Sequence, residues 1–262
     1  MKKLKKYLKI WWKMSANSFS IVLGQRIALT TFLIGKTFRF LIFFGFLFFL
    51  LKGTGNLLGY TSDQIIFFYL SFNLIDVMVQ FLYREVYRFR SMIIKGDFDL
   101  VLVKPISALF RVLMGGADII DLITIPPVII LLIIYGARLN PNFVGILGYL
   151  ALLFNGFLIA TAFSISILAL AIITLEIDHS IMIYRDLTNL GKLPVDIYKE
   201  PLRTVITYLI PVGVVMTLPA KTLMGMTGFW EILGAFLVGI ISLILAFRFW
   251  KHALTKYTSA SS

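Results

Sequence analysis

Six long apolar runs, separated by short polar punctuation, dominate the chain. They are Ile34–Leu51, Ile65–Tyr83, Ala117–Tyr135, Phe143–Leu175, Pro201–Leu218 and Phe229–Phe249. A hydrocarbon core of about 30 Å is crossed by roughly 20 apolar residues in helix, so each run predicts a membrane span. The fourth has 33 residues and would reach about 50 Å as a helix. It must tilt, kink at Gly156, or continue beyond the bilayer. Ahead of the first run, MKKLKKYLKIWWKM places Leu4, Tyr7, Leu8 and Trp11 at helical spacing, with the lysines largely elsewhere. That pattern predicts an amphipathic interfacial helix. A second amphipathic stretch, Ser15–Thr31, leads into the bundle. A signal peptide would need an unbroken apolar core and a small-residue cleavage site, and neither is present. The predicted fold class is all-α integral membrane in a single domain. It comprises amphipathic helices over 1–32, a six-span bundle over 33–250 and a tail over 251–262.

Two stretches interrupt this pattern. PVGVVMTLPAKTLMGMTGFW carries Pro211, Pro219 and Gly225, residues that break a helix. Irregular backbone at membrane depth survives when buried in protein or lining a cavity. The stretch therefore predicts a short re-entrant or interfacial helix between spans five and six, with a kinked helix and exposed loop as the alternative. The other interruption is KGDFDLVLVKP, between spans two and three. Arg84–Lys95 predicts a helix that Gly96 ends. Asp97 is placed to cap a second short helix through Phe98, Asp99, Leu100 and Leu102. Lys104-Pro105 stops it, because a residue before proline avoids helical angles. A helix–break–helix just under the membrane is a docking knob for a soluble partner, with Lys95, Asp97, Asp99 and Lys104 keeping it wet.

Composition supports the membrane reading: 59% of residues are hydrophobic and 15% charged, against about a quarter charged in soluble domains. The formal net charge of +12 is used first for orientation, since Lys and Arg collect in cytoplasmic loops. With the amino terminus inside, segments 1–39, 84–116, 176–203 and 248–262 hold 22 of the 25 basic residues. Both termini are therefore expected in the cytoplasm, membrane lipid is a partner, and nucleic acid is not. The absence of cysteine excludes a disulfide framework and thiolate chemistry.

Chemistry-bearing constellations are sparse. Gly35-Lys36-Thr37 resembles the end of a phosphate-binding loop, but position 30, where that loop needs glycine, is Thr30. His179, beside Glu176, Asp178 and Asp186, has no second histidine at ligand spacing, which favours a solvated loop over a metal or acid–base site. No catalytic residue and no metal site is assigned. In the second span, Tyr69, Asn73, Asp76, Gln80 and Arg84 fall on one helical face. An ionisable residue inside a span should face protein or water. The face is either the wall of a translocation path or inter-helix hydrogen bonding, with Asp76 paired to Lys36 or Arg39. Asp118 and Asp121 open the third span, where acidic groups suit the positive end of the helix dipole.

These features resemble the six-span permeases of type-2 ABC exporters, in the branch that includes viologen-type exporter permeases. The matching residues are Gly96, Asp99, Leu102 and Pro105 in a Gly-x-x-Asp-x-x-Leu-x-x-Pro pattern, Pro194 and Tyr198 in KLPVDIYKEP, and Pro211, Pro219-Ala220 and Gly225. The resemblance implies a dimer with an identical or sister permease and two copies of a separate ATPase subunit, which holds ATP and Mg. It makes 95–105 the coupling helix that fits the ATPase, places the protein in the inner membrane, and implies outward transport of an amphipathic, drug-like or lipid-like substrate. The chain itself is then a transport subunit that binds no cofactor. Two rivals are a secondary transporter or channel, and an integral-membrane lipid-modifying enzyme. The first usually shows mid-membrane ionisable groups or broken helices in paired halves, whereas Asp76 is nearly alone and the break at 211–228 has no counterpart in the first half. The second would need a catalytic constellation.

Overall fold

The computed structural model describes residues 2–174 and 177–258, with side chains except those of Lys2, Thr54 and residues 177–180. Helix α1 (Lys2–Gly24) lies against the bundle and separates from α2 (Arg26–Thr54) at Gln25, whose φ of −99° and ψ of 61° are non-helical. Then come α3 (Ser62–Tyr83), a 3-10 turn (Arg84–Arg88), α4 (Phe89–Ile94), α5 (Asp97–Leu102), α6 (Ala108–Leu113), α7 (Ile119–Arg138) and α8 (Phe143–Thr174). The chain continues through α9 (Ile177–Asn189), α10 (Leu202–Thr204), a π turn (Val205–Leu209), α11 (Val212–Met216), α12 (Leu218–Leu223) and α13 (Phe229–Lys256). Among the described residues five helices, α2, α3, α7, α8 and α13, are long and apolar enough to cross a membrane.

Helix α8 is the spine of the bundle. Small buried residues of α13 (Ala235, Gly239, Ala246, Ala253) let the two helices approach closely, the packing mode that suits helices in lipid. Asn155 of α8 donates to the Ala235 carbonyl at 2.8 Å, and a Cβ at Gly239 would collide with the Asn155 side chain. On its other flank, Tyr149 and Thr161 of α8 hydrogen-bond Ser71 and Tyr83 of α3 at 3.0 and 2.7 Å. Helix α8 runs unbroken through Gly156. That glycine admits the backbone of Val215, whose carbonyl oxygen would lie 3.1 Å from an added Cβ. Close approach, rather than a kink, is what this glycine supplies.

The amino termini of α1, α2 and α7, the carboxyl termini of α3, α8 and α13, and α4–α6 gather at one end of the bundle, called the basic end. Helix α1 packs there on its Tyr7, Trp11 and Ser15 side. Tyr7 stands edge-on to Phe110 at 4.7 Å, Trp11 faces Phe81 at 6.4 Å, and Ser15 Oγ accepts from the Ala117 amide at 3.1 Å. Leu4, Leu8 and Trp12 are left exposed. The amphipathic pattern is thus divided between the protein and the face left free.

The expected fifth span, Pro201–Leu218, is not a span. Helix α9 climbs beside α8 from the basic end, with Tyr184 5.5 Å from Phe163. Gly191 lies against Val212 and Met216, and the Val195 amide donates to Thr217 Oγ1 at 3.2 Å. At the opposite end, Asp196 meets Tyr60 of the α2–α3 loop at 2.8 Å and Lys221 at 2.7 Å. From Arg203, which also binds Asp196, the chain descends through α10 and the π turn and reverses at Pro211. It then returns through α11 and α12. Two prolines and the close fit of Gly213 on Thr207 make this hairpin possible. The expected cytoplasmic segment 176–203 is therefore split: Lys199 and Arg203 stand at the opposite end with Lys52, Arg138 and Lys221, five of the 25 basic residues. The charge asymmetry survives, and the path is corrected. In single-cysteine labelling of intact cells, Lys199→Cys should react from the same side as Asn56→Cys and opposite to Asp97→Cys. Reactivity of position 199 together with position 97 would restore the sequence-based path.

Candidate functional site

Three groups of residues stand out. The first is the knob at the basic end. Gly96 adopts φ +76°, a left-handed conformation that glycine takes without cost. It turns the chain from α4 into α5. Gly96 is also the N-cap, and no side chain caps the helix there, so Asp97 is not the cap that its position suggested. Helix α5 ends at Leu102, ahead of Lys104 and Pro105. Phe98 is fully buried, edge-on to Phe89 and Tyr257 at 5.0 Å each and 6.5 Å from Trp250. Tyr257 donates its hydroxyl to Asp99 Oδ1 at 2.8 Å. Burial, followed by this bond to the carboxylate, pushes the Tyr257 hydroxyl up to about 12, so it keeps its proton. On the other side Lys6 donates to the Pro105 carbonyl at 3.3 Å, and the Ser107 amide to the Tyr7 hydroxyl at 3.1 Å. Helix α5 is thereby clasped between the first and last helices. On α5 and the residues flanking it, four large apolar side chains face outward: Ile94, Leu100, Leu102 and Val103 are 58%, 60%, 41% and 80% exposed. Lys95, Asp97, Lys104 and Pro105 surround them, also exposed.

The second group is the polar face of α3. Tyr69 donates to the Phe40 carbonyl at 3.4 Å, Asn73 to the Tyr69 carbonyl at 2.7 Å, and Gln80 Nε2 to Asp76 Oδ2 at 2.8 Å. Asp76 does not take Lys36 as its ion-pair partner. Lys36 pairs with Asp121 of α7, and Arg84 pairs with Asp118 at 3.2 Å. Asp118 also caps α7, accepting from the Ile120 amide at 2.8 Å. The third component, the outer break, is brought together as the hairpin: Pro211 sits at its tip, Pro219 opens α12, and Gly225 turns the chain toward α13 with φ +70°. Among the described residues no group of acidic and histidine side chains could hold a metal. Glu176 and the side chains of Asp178 and His179 lie outside the described residues.

A family model described as ABC-2 family transporter protein matches residues 37–261. The chain belongs to the ABC-2 transporter family. It is a multi-pass transport permease of that family. Comparison with curated proteins gave no match, and comparison with solved structures gave none. Three features of this ABC-2 permease escaped sequence reasoning. The Lys36–Asp121 pair joins residues 85 apart, and the Asp196 cluster joins Tyr60 to Lys221. The Tyr257–Asp99 bond ties the carboxyl end of the chain to the knob. Only the last had a local signal: aromatic Trp250 and Tyr257, seven residues apart, continue the α13 face beyond its apolar run.

Proposed function

We propose that this permease is the membrane subunit of an ATP-driven exporter, driven by a separate ATPase that carries ATP and Mg. The observation that carries the reading is the α5 knob. It is a rigidly backed helix whose exposed residues are apolar and whose rim is charged, the anatomy of an interface core and rim. An exposed apolar patch of this kind marks an interaction site. The matching Gly96, Asp99, Leu102 and Pro105 pattern favours the branch with viologen-type exporter permeases, and so a second permease, identical or sister, as partner. In this reading both termini and the knob are cytoplasmic, as the basic residues favour, and the membrane is the inner one. The chain crosses six times. The fifth crossing is the discontinuous path 177–198, and 201–223 is a hairpin re-entering from outside. Irregular backbone at that depth is tolerated where it is sheltered in protein, as in the returning limb, where every residue from 211 to 220 is buried. ATP-driven closure of the ATPases would press on α5, and the Phe98 clasp would pass the movement to α13. The substrate is an amphipath, moved outward along the α3 face.

Co-purification with candidate ATPases tests this. One ATPase should be retained and should hydrolyse ATP, and Leu100→Asp should reduce retention at least tenfold without reducing membrane insertion. Transport by the chain alone in liposomes, driven by an ion gradient, would overturn the reading.

A further inference from the structure

The α3 face has a second wall that its own residues do not supply. The turn following α9 (Leu190–Lys192) packs against α3 and places Lys192 Nζ 5.4 Å from the centre of the Phe43 ring. Phe43 stands 17 residues into the 29-residue α2, about 26 Å along its axis. The ammonium is therefore near the middle of the bundle, not at its rim. Phe43 in turn contacts Tyr69 at 4.8 Å, and Tyr69 stacks on Phe40 at 5.6 Å. Lys192 is half-buried. Among the described residues no carboxylate lies within ion-pair distance of it, whereas Lys36 and Arg84 each have one.

A cation at that depth is costly, and it marks a site unless a partner explains it. The aromatic ring compensates in part. The charges in electrostatic reach of Lys192 are Arg39, Arg185 and Asp76. Arg185 lies toward the basic end, in reach of Tyr87, and Arg39 is one helical turn before Phe43. Asp76 is the single acid of the set and already accepts from Gln80. Cations thus lead from the basic end to mid-bundle beside an aromatic surface, and in the set around Lys192 among the described residues one acid, Asp76, faces three cations.

We infer that this face binds amphipaths with an anionic head group (carboxylate, sulfate or phosphate). Lys192 and Arg39 hold the head, and Phe43, Tyr69 and Phe40 receive the start of the chain. This rests on the exporter reading and gives its substrate a charge. The head group could belong to a bilayer lipid or to a free amphipathic anion, and the two sources are separable.

The test is equilibrium binding to the purified full chain in neutral detergent, with no ATPase present. The probes are palmitate, phosphatidylglycerol, phosphatidylethanolamine and hexadecyltrimethylammonium. Palmitate, phosphatidylglycerol or both should bind at least tenfold more tightly than the uncharged-overall or cationic probe. Binding of palmitate alone identifies a free anion, and binding of phosphatidylglycerol identifies the lipid. Lys192→Gln should weaken the anionic probe at least fivefold, and Lys192→Arg should restore it. Arg39→Gln, on an exposed side chain, should weaken it severalfold and decides the matter if Lys192→Gln does not fold. Arg138→Gln, at the opposite end, should leave it unchanged. Equal binding of the cationic probe, or unaltered binding in both Lys192→Gln and Arg39→Gln, overturns the inference. Because no ATPase enters the measurement, its failure leaves the exporter reading standing, and loss of ATPase co-purification leaves the binding result standing.

Discussion

Phe98→Ala should loosen the knob from the bundle while leaving the long helices packed. Its ring is fully buried among Phe89, Trp250 and Tyr257, and truncating such a phenylalanine costs about 3–5 kcal/mol. Helix α5 has only six residues, too short to persist on its own hydrogen bonds. The loss should therefore appear as local opening. In hydrogen exchange, amides of residues 94–104 should lose protection by two orders of magnitude or more, while those of α8 and the middle of α13 keep theirs. Tyr257→Phe removes only the hydroxyl bond to Asp99, for which a charge-assisted hydrogen bond is worth about 1.5–3 kcal/mol, and should produce a smaller version of the same pattern. That bond has a defined pH window. A tyrosine whose folded value is raised contributes stability fully below its unfolded value of about 10. The contribution is lost as pH rises to about 12. Wild-type protection of the knob should be flat across neutral pH and fall only in that alkaline range. Unchanged exchange over 94–104 in Phe98→Ala would show that the clasp does not hold the knob.

The same segment shows how far sequence reasoning reaches. Gly96 and Pro105 delimit α5 because backbone chemistry is local: one residue supplies the left-handed turn and the other forbids continuation. The long apolar runs of α2, α3, α7, α8 and α13 were legible because length and hydropathy alone define them. Pro201–Leu218 was misread for a physical reason. Hydropathy reports that a segment avoids water, and residues 211–220 do so by being buried in protein. A membrane-length run carries no mark of whether its chain continues or reverses, so Pro211 was read as a break near the outer end of a span that ran on to Leu218. The misplaced span then put Lys199 and Arg203 at the wrong end of the bundle. Counting basic residues did not correct the error, because moving two of 25 leaves the majority where it was. The face of Tyr69, Asn73, Asp76 and Gln80 was legible as a periodicity. Its opposing wall, Lys192 on Phe43, joins residues 149 apart and was not.

Asp121→Ala should be among the most damaging single substitutions in the protein. Asp121 is buried, and its partner Lys36 is mostly so, with 18% of its side chain exposed. Read from sequence, Asp121 was one of two acids favoured by the α7 dipole, a contribution of about 0.3–1 kcal/mol. Paired with Lys36, it has a larger role. Removing one member of a buried pair strands the other charge and costs about 3–5 kcal/mol. The damage should fall on α2, the least buried of the five long helices, which the pair ties to α7. Thermal unfolding of the purified chain should show a clear drop in midpoint for Asp121→Ala, and a comparable drop for Lys36→Ala, which strands the carboxylate instead. The double replacement Lys36→Met with Asp121→Leu should recover most of the loss, because exchanging a buried pair for apolar groups of similar volume is often neutral. If the double variant is no more stable than the two single losses added together, the residues are not coupled and α2 is held by other contacts. Recovery would show instead that the energetic cost lies in the stranded charge, and that α2 needs a filled contact with α7 at this point rather than a charged one.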